Sequence, residues 1–394
     1  MRHRQSPGSM LGRGLAAVTG LLTLAVCIGA GPTPAAYAAA PVLALPRPTG
    51  PQPVGMTSLH LKDVSRPDPW VADAPARELM VSLWYPARPR GERRAQYMTP
   101  AESKIFLERN RVTGVPTDIL SRVRTNAFRD AQPVGRRRSL PLVVLSPGFI
   151  QNRATLTALA EDLASHGYLV AGIEHTYESA AASFPDGRVA TCVACEVDDQ
   201  PGFWDKLGAG RAADVSYVLD ELTGPHPAWP GARLIDPSRI AMAGHSAGGA
   251  SSIVAMLADS RLRAGIDMDG EVHTPIPATG LSRPFLFLGQ AIHSPGGPEN
   301  SWEQQWPRLS GWKRWLVVAG TVHTSFTDLT LLAEQLGIDI GAGMPAARSL
   351  QITRSYTRAF FDLHLRHRPQ PLLDEPSSRY PEVKFCTVET KICA

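Results

Sequence analysis

Residues 240–249 read IAMAGHSAGG, an apolar run followed directly by a Gly-x-Ser-x-Gly segment. Glycines flank Ser246, which indicates a turn so tight that larger side chains beside the serine would clash. Such a turn projects a serine hydroxyl out of a sheet, at the amino end of the next helix. A Gly/Ser turn alone carries little information, because short glycine motifs recur by chance. Here a strand pattern precedes the motif and a helical pattern follows it, so we predict that Ser246 is a nucleophile.

Strand and helix patterns alternate on both sides of this turn. Short apolar runs predict strands at residues 79–85, 142–145, 169–173, 240–243, 264–268, 285–288 and 315–318. Helical spacing predicts helices after a capping box at 99–102 and around 156–163, 215–222, 253–257 and 356–363. Several of the runs are continuously apolar, as expected for strands covered on both faces. The chain is therefore predicted to be α/β, with the α/β-hydrolase fold and a mostly parallel, doubly wound sheet flanked by helices.

An acid and a base are predicted on the strands that follow the turn. In this fold the chain order is serine, acid, histidine, and each lies near the carboxyl end of a strand. Asp269 directly follows a predicted strand, while Asp267 lies two residues deeper and is the reserve candidate. His323 comes just after the last predicted strand. We therefore predict a catalytic triad of Ser246, Asp269 and His323.

Four other histidines follow Asp269 along the chain. His293 lies in a Pro/Gly-rich loop and is a candidate for lining the pocket. His273 is too close to Asp269 in sequence to come from a separate loop. His364 and His367 lie among arginines on the last predicted helix, where a solvated role is expected.

Main-chain N–H groups are the expected donors to a developing oxyanion. One donor should be the N–H of Ala247, the residue after the nucleophile. The other should come from the loop after the strand at 142–145, which reads Ser-Pro-Gly-Phe-Ile at 146–150. Gly148 permits close approach of that loop, and the N–H of Phe149 is the candidate donor.

The chain is predicted to have four segments. Residues 1–38 combine a basic start, an apolar run and a final Ala-x-Ala, which indicates a secretory signal peptide cleaved near Ala38. A membrane-spanning helix and a lipid anchor at Cys27 are the alternatives. Residues 39–57 hold five prolines and predict a stiff, extended lead-in that is not packed. Residues 58–368 are predicted to form the catalytic domain and 369–394 a C-terminal tail.

The charge balance argues against a nucleic-acid partner. Residues 1–38 contain three arginines and no acidic residue, so without them the formal charge falls from +4 to +1. A nearly neutral exported chain has no basic surface excess of the kind that nucleic acid requires.

Four cysteines remain once Cys27 leaves with the signal peptide, and an even number in an exported chain indicates disulfides. Proximity favours pairing Cys192 with Cys195 and Cys386 with Cys393, although three pairings are possible. A zinc site at Cys192 and Cys195 is the competing interpretation. No second Cys pair or His pair lies near them in sequence, so no metal site is predicted.

With these residues placed, the chain resembles the plasma-type platelet-activating factor acetylhydrolase family, especially its bacterial members. The resemblance covers roughly residues 58–368 and depends on Gly-His-Ser-x-Gly-Gly at 244–249, Ile-Asp-Met-Asp at 266–269 and Gly-Thr-Val-His at 320–323. It implies an ester bond as the target and no metal or organic cofactor. It overlaps with bacterial polyester and triglyceride hydrolases. The family's usual Ser-His-Gly is replaced here by Ser-Pro-Gly at 146–148, and a cysteine-bearing insert occupies 188–200.

These residues predict a secreted carboxylic ester hydrolase that forms an acyl-enzyme on Ser246. The expected substrates are small-molecule or lipid esters, with short or oxidised acyl chains. A secreted peptidase or amidase with the same triad, and a non-catalytic binding protein of the same fold, are the alternatives. Residues 176–208 are either a partial lid or a surface loop. Residues 105–107 either touch a lipid interface transiently or pack against the body.

Overall fold

A computed structural model describes residues 42–88 and 93–394. The predicted signal peptide, its cleavage site at Ala38 and the possible lipid anchor at Cys27 lie outside these residues. The described strands are β1 (Val54–Asp63), β2 (Arg77–Pro86), β3 (Phe128–Arg129), β4 (Leu140–Ser146), β5 (Leu169–Glu174), β6 (Ala181–Ser183), β7 (Val189–Thr191), β8 (Ile235–His245), β9 (Leu262–Met268), β10 (Phe285–Gly289), β11 (Lys313–Val318), β12 (Val383–Thr387) and β13 (Ile392–Cys393). The described α-helices are α1 (Pro100–Arg109), α2 (Thr157–Ser165), α3 (Phe203–Thr223), α4 (Ala247–Ala258), α5 (Ser301–Gln305), α6 (Asp328–Gln335) and α7 (Ala346–Arg366).

Eleven of these strands form one sheet, in the order β13-β12-β11-β10-β9-β8-β4-β5-β2-β1-β3. The six central strands, from β11 to β5, are parallel to one another. Antiparallel pairs flank this centre, with β2 beside β5 on one side and β12 beside β11 on the other. Strands β6 and β7 form a separate antiparallel hairpin. The predicted α/β fold with a mostly parallel sheet is confirmed.

Successive residues of β4 enter two different cores, one on each face of the sheet. Leu142 and Val144 belong to a cluster that includes apolar residues of α3 and α4. Val143 and Leu145 belong to a second cluster, with apolar residues of α2 and α7. All four side chains are buried, which explains why this stretch of β4 is apolar at every position. Because helices cover both faces, the edge formed by the strands' carboxyl ends is where a site can open.

The Pro-rich lead-in is extended, but the expectation that it is not packed is wrong. Leu43 and Leu45 are buried in a core cluster that also contains Leu120. The N–H of Leu45 donates to the carbonyl of Arg124, whose own N–H donates to the carbonyl of Leu43. Strand β1 then begins at Val54, inside the predicted lead-in. Prolines exclude a helix here, yet the N–H groups of the residues between them remain free to pair.

Helix α1 begins with the predicted capping box. The Thr99 side chain accepts a hydrogen bond from the N–H of Glu102, whose carboxylate accepts one from the N–H of Thr99. Phe106 and Leu107 are buried in the core, so this segment packs against the body. Of the helices in residues 42–88 and 93–394, none combines the length and the hydropathy needed to cross a bilayer.

Candidate active site

Ser246 occupies the sharp turn between β8 and α4. Its backbone has φ +55° and ψ −126°, a region that residues with a side chain rarely adopt. Close packing enforces the turn: a β-carbon at Gly244 would lie 2.1 Å from the carbonyl carbon of Gly248. One at Gly248 would lie 2.1 Å from the carbonyl oxygen of Ser146. Both positions therefore require glycine, for the reason that the motif predicts.

The carboxylate of Asp269 is buried at the end of β9 and accepts three close hydrogen bonds. Its Oδ1 accepts from the main-chain N–H of Gln290 at 2.7 Å, and its Oδ2 from the Gln290 side-chain amide at 2.9 Å. The third donor is His323, whose Nδ1 lies 2.7 Å from Oδ2. Burial acts to raise the pKa of Asp269, but the His323 hydrogen bond and two nearby histidines hold it below its usual value. Asp269 is thus an ionised carboxylate bound to an imidazole.

His323 lies five residues after β11, at the start of a short 3-10 turn. Its side chain is 48% exposed, whereas that of Asp269 is fully covered. In a neutral imidazole whose Nδ1–H donates to Asp269, the other ring nitrogen, Nε2, carries the lone pair. No hydrogen bond joins Ser246 Oγ to His323 within the described part of the chain. Such contacts are often long without substrate and tighten when it binds.

His245, the residue before Ser246, holds the main chain of His323. The His245 side chain is buried, and its Nε2–H donates to the carbonyl oxygen of His323 at 2.7 Å. Burial, and then the neighbouring His323, lower the pKa of His245 to about 3, so the ring is neutral. Sequence reasoning assigned no role to His245, because this contact spans 78 residues.

Asp267, the reserve candidate, lies in a different environment. It is fully buried, and its Oδ1 accepts from the N–H of Gly270 at 2.8 Å. Burial raises the pKa of Asp267 well above its usual value, and the negative charge of Asp269 adds to the effect. Asp267 is thus a neutral carboxyl group that lies under the turn after β9 and does not contact His323. Of the two aspartates, only Asp269 lies beside the imidazole.

His293 lies on the far side of Asp269. Its Nε2 is 3.5 Å from Asp269 Oδ1, and its ring stacks on Trp302 with centroids 4.3 Å apart. The indole N–H of Trp315 donates to the carbonyl of His293. His293 is therefore buried behind the acid and does not line an open pocket, in contrast to the prediction from its loop position. The other late histidines differ from each other: His367 is exposed, but His364 is half-buried against Trp312, so the solvated role expected for His364 is wrong.

The loop predicted to supply an oxyanion donor lies against Ser246. A β-carbon added at Gly148 would be 3.3 Å from Ser246 Cβ, so this loop borders the serine directly. The N–H of Gln151 donates to the Gly148 carbonyl, which holds the peptide plane that carries the Phe149 N–H. Ala247 is the first residue of α4, where N–H groups have no partner within the helix. Both predicted donors are thus adjacent to the serine.

A family model described as "Platelet-activating factor acetylhydrolase, isoform II" matches residues 37–191 and 232–345. The chain belongs to this family. The matched ranges contain Ser246, Asp269 and His323, together with the loop at 146–150. The unmatched stretch between them, 192–231, holds Cys195 and all of α3.

Relatives and a solved structure agree with membership of the acetylhydrolase family. A fungal protein of Arthroderma benhamiae, named as a probable 1-alkyl-2-acetylglycerophosphocholine esterase, is 28% identical over 86% of this chain and 93% of its own length. The platelet-activating factor acetylhydrolase of Cavia porcellus is also 28% identical, and the match spans half of each chain. A solved ferulic acid esterase from Streptomyces cinnamoneus is 43% identical, covers 88% of this chain and all of its own, and has a TM-score of 0.80. The chain is thus a carboxylic ester hydrolase.

Aromatic side chains from the unmatched stretch wall the site of this acetylhydrolase-family chain. Phe203 and Trp204, at the start of α3, pack against Phe149 of the oxyanion loop, with ring centroids 5.3 and 5.7 Å apart. Trp204 also stacks on His273 at 4.5 Å. A shallow cleft lies between Trp204, His273 and Ala247. The C-terminal end of segment 176–208 therefore forms one wall of the cleft. The larger grooves of the described chain lie away from the triad.

The four cysteines of the described chain form two disulfides, Cys192–Cys195 and Cys386–Cys393. This is the pairing that sequence proximity favours. Cys192 and Cys195, the two cysteines of the alternative zinc site, are bonded to each other and cannot bind a metal as thiolates. Within residues 42–88 and 93–394, no cluster of three or more His, Cys, Asp or Glu side chains is arranged to hold a metal ion.

Proposed function

We propose that the chain is a secreted serine esterase with Ser246 as nucleophile, His323 as base and Asp269 as the acid that orients the base. The observation that carries this is the 2.7 Å contact from His323 Nδ1 to an ionised carboxylate, beside a serine held in a strained strand-to-helix turn. Asp269 keeps the Nδ1–H tautomer, which leaves Nε2 able to take a proton.

The reaction has two halves. Ser246 Oγ attacks the ester carbonyl carbon and its proton passes to His323 Nε2, which gives it to the departing alcohol. A water molecule then attacks the acyl-enzyme while His323 takes its proton, and His323 returns that proton to Ser246 Oγ as the bond to the acyl group breaks and the carboxylic acid leaves. In both halves the negative charge on the former carbonyl oxygen would be stabilised by the N–H groups of Phe149 and Ala247.

The cleft beside Ala247 favours short acyl groups. This cleft is shallow and is bounded by Trp204 and His273, so a long acyl chain would have to lie across the surface. We therefore expect acetyl and butyryl esters to react faster than lauroyl esters.

Esters of aromatic acids are a second candidate substrate class. The rings of Trp204, Phe149 and Phe203 form a wall on which a planar acyl group can stack, which contributes about 1 kcal/mol. The 43% identity to a ferulic acid esterase supports this candidate.

The test is hydrolysis of p-nitrophenyl acetate, butyrate and laurate and of methyl ferulate by residues 39–394. Ser246→Ala should reduce turnover by about 10⁴-fold or more, because the nucleophile is lost. Ser238→Ala, an exposed serine at the other end of β8, is the matched control and should be unchanged. Equal rates in parent and Ser246→Ala would contradict the proposal. Trp204→Ala should raise KM for methyl ferulate about fivefold if aromatic acids are the substrates.

Secretion is proposed from the targeting pattern of residues 1–38 and is supported by the two disulfides, which persist in oxidising compartments. Expression of the full chain in a secreting bacterium, followed by amino-terminal sequencing of the protein in the medium, tests this. The expected first residue is Ala39. A protein retained in the cells with Met1 intact would contradict it.

A further inference from the structure

A second serine–histidine–aspartate relay lies directly under the oxyanion loop. Ser146 Oγ is 2.9 Å from His175 Nε2, and His175 Nδ1 is 2.7 Å from Asp214 Oδ2. All three side chains are at most 1% exposed, so substrate cannot reach this serine. The relay needs a role other than nucleophilic attack.

The protons of this relay can be placed. Burial would raise the pKa of Asp214, but the charge of Arg77 and the His175 hydrogen bond hold it far below its usual value. Burial, and then the charge of Arg211, lower the pKa of His175, so its ring is neutral. His175 Nδ1–H therefore donates to Asp214, and Nε2 accepts from the Ser146 hydroxyl. The lone pairs of Ser146 Oγ remain free to accept from Arg211, whose Nη1 is 3.3 Å away.

Arg211 joins the relay to the main chain of the loop. Its Nη1 donates to the carbonyl oxygen of Pro147, and its Nε donates to Glu178 Oε2 at 2.7 Å. The carbonyl of Glu178 in turn accepts from the N–H of Ile150 at 2.9 Å. The loop is thus held on both sides of Gly148, which borders Ser246, and of Phe149, the predicted oxyanion donor.

The charges around Arg211 are paired in the interior. Arg77, fully buried, donates to Asp68, to Asp214 and, at 3.5 Å, to Glu178. The indole N–H of Trp70 donates to Glu178 Oε1, the oxygen that Arg77 also contacts. A buried network of this kind is rigid only when its members are satisfied, and loss of one partner leaves a charge unpaired.

We propose that Arg211, backed by the Ser146–His175–Asp214 relay, is a positioning residue that aims the oxyanion loop at the carbonyl of the bound ester. This inference depends on the proposed function. Proline at 147 has no N–H, so its carbonyl is the group by which the loop can be fixed there. Arg211 and Asp214 lie on α3, in the stretch 192–231 that the family model does not match, so the matched segments do not themselves supply this support.

The effect expected of Arg211→Lys is a loss of transition-state binding. Lysine keeps the charge but cannot bind Pro147 and Glu178 at once with a planar fork. A displacement of about 1 Å in an oxyanion donor costs on the order of 100-fold in rate. We expect kcat of the mature protein on p-nitrophenyl butyrate to fall about 10- to 100-fold, with KM changed less than about twofold.

Two readouts separate positioning from general destabilisation. Titration of Ser246 with a fluorophosphonate counts the active sites, so that kcat is expressed per competent site. The Ki of a trifluoromethyl ketone, which mimics the tetrahedral intermediate, should rise by the same factor as kcat falls. Ser146→Ala removes the hydroxyl that links His175 to Arg211 but keeps the Arg211 contact with Pro147, so it is expected to give a smaller shift of both quantities in the same direction.

Arg354→Lys is the matched control. Arg354 is also buried and also donates to a main-chain carbonyl, that of Ala158, but it lies on α7 away from the loop. It should lower Tm while leaving kcat per titrated site and the ketone Ki unchanged.

The outcomes are distinct. Parallel changes in kcat and ketone Ki for Arg211→Lys, absent in Arg354→Lys, support the proposal. Unchanged kcat per site in Arg211→Lys and Ser146→Ala, with Ser246→Ala inactive, overturns the positioning role alone. If Arg211→Lys yields no folded protein, Ser146→Ala decides by the same two readouts. Activity that survives in Ser246→Ala overturns the proposed function instead.

Discussion

The backbone N–H of Ser246 donates a 2.8 Å hydrogen bond to the carbonyl of Met268, the residue before Asp269. One main-chain contact therefore sets the distance between the turn after β8 and the end of β9. Ser246 and Asp269 both have positive φ, +55° and +60°, which costs free energy that the surrounding packing must offset. Backbone strain of this kind is found most often at active sites, where the surrounding structure holds residues in an unfavourable conformation that the reaction requires.

Asp269→Asn and Asp267→Asn should have very different effects. The amide in Asp269→Asn no longer stabilises the required tautomer of His323, so kcat should fall about 10⁴-fold with the fold retained. Asp267 is already neutral because burial raises its pKa, and an amide resembles a protonated carboxyl group. We expect Asp267→Asn to keep nearly full activity. Steady-state kinetics with circular dichroism checks both, and a larger loss in Asp267→Asn would reverse the assignment.

The strand-end positions of Ser246, Asp269 and His323 could be predicted because local patterns specify them. Each follows a short apolar run that ends β8, β9 or β11, and parallel strands bring their carboxyl ends to one edge. The doubly wound sheet was predictable for the same reason, since alternating strand and helix patterns have few arrangements with short connections.

Contacts between distant parts of the chain could not be predicted. Arg211 reaches Pro147 across 64 residues, and Arg354 reaches Ala158 across 196. A single sequence does not distinguish a buried arginine from an exposed one, because its burial depends on partners that are distant along the chain and not on the residues next to it in sequence. Leu43 shows the same limit. The prolines of the lead-in indicate an extended chain, but only the folded structure supplies the core that covers Leu43.

His293→Phe should weaken catalysis modestly. Phenylalanine keeps the stacking on Trp302 but removes the Nε2 that lies 3.5 Å from Asp269. Loss of one long polar contact to the carboxylate costs about 1 kcal/mol, so kcat/KM should fall roughly fivefold. His364→Phe, a half-buried histidine that packs on Trp312 away from the site, is the control. Equal kinetics in the two variants would mean that His293 does not act on Asp269.

His245→Gln should flatten the acid side of the stability profile. A buried histidine with a folded pKa of about 3 contributes stability that is full above the unfolded pKa near 6.5 and is lost as the pH falls toward 3. At pH 5 this loss amounts to about 2 kcal/mol. Glutamine keeps a donor for the His323 carbonyl but does not titrate. Urea unfolding at pH 7.5 and pH 5 should show a drop about 2 kcal/mol smaller in the variant.

The control for this pH effect is His226→Gln, at an exposed position. It should leave the difference between the two pH values as in the parent. An equally steep acid loss in His245→Gln would show that the buried ring is not what resists protonation.

The two disulfides should be separable by their effects on catalysis. Both close short loops, of sequence separation 3 and 7, so replacing either cysteine pair by serines should lower the free energy of unfolding by about 2 kcal/mol. Cys386–Cys393 joins β12 to β13 near the amino end of β11, and its loss should leave kcat and KM unchanged. Between Cys192 and Cys195, Ala194 is buried against Phe203 and Ala247 at the cleft, so loss of this bond should raise KM for methyl ferulate. Denaturation and steady-state kinetics on the two double variants measure the free energy of unfolding and KM. An unchanged KM in Cys192→Ser/Cys195→Ser would show that this disulfide does not shape the substrate cleft.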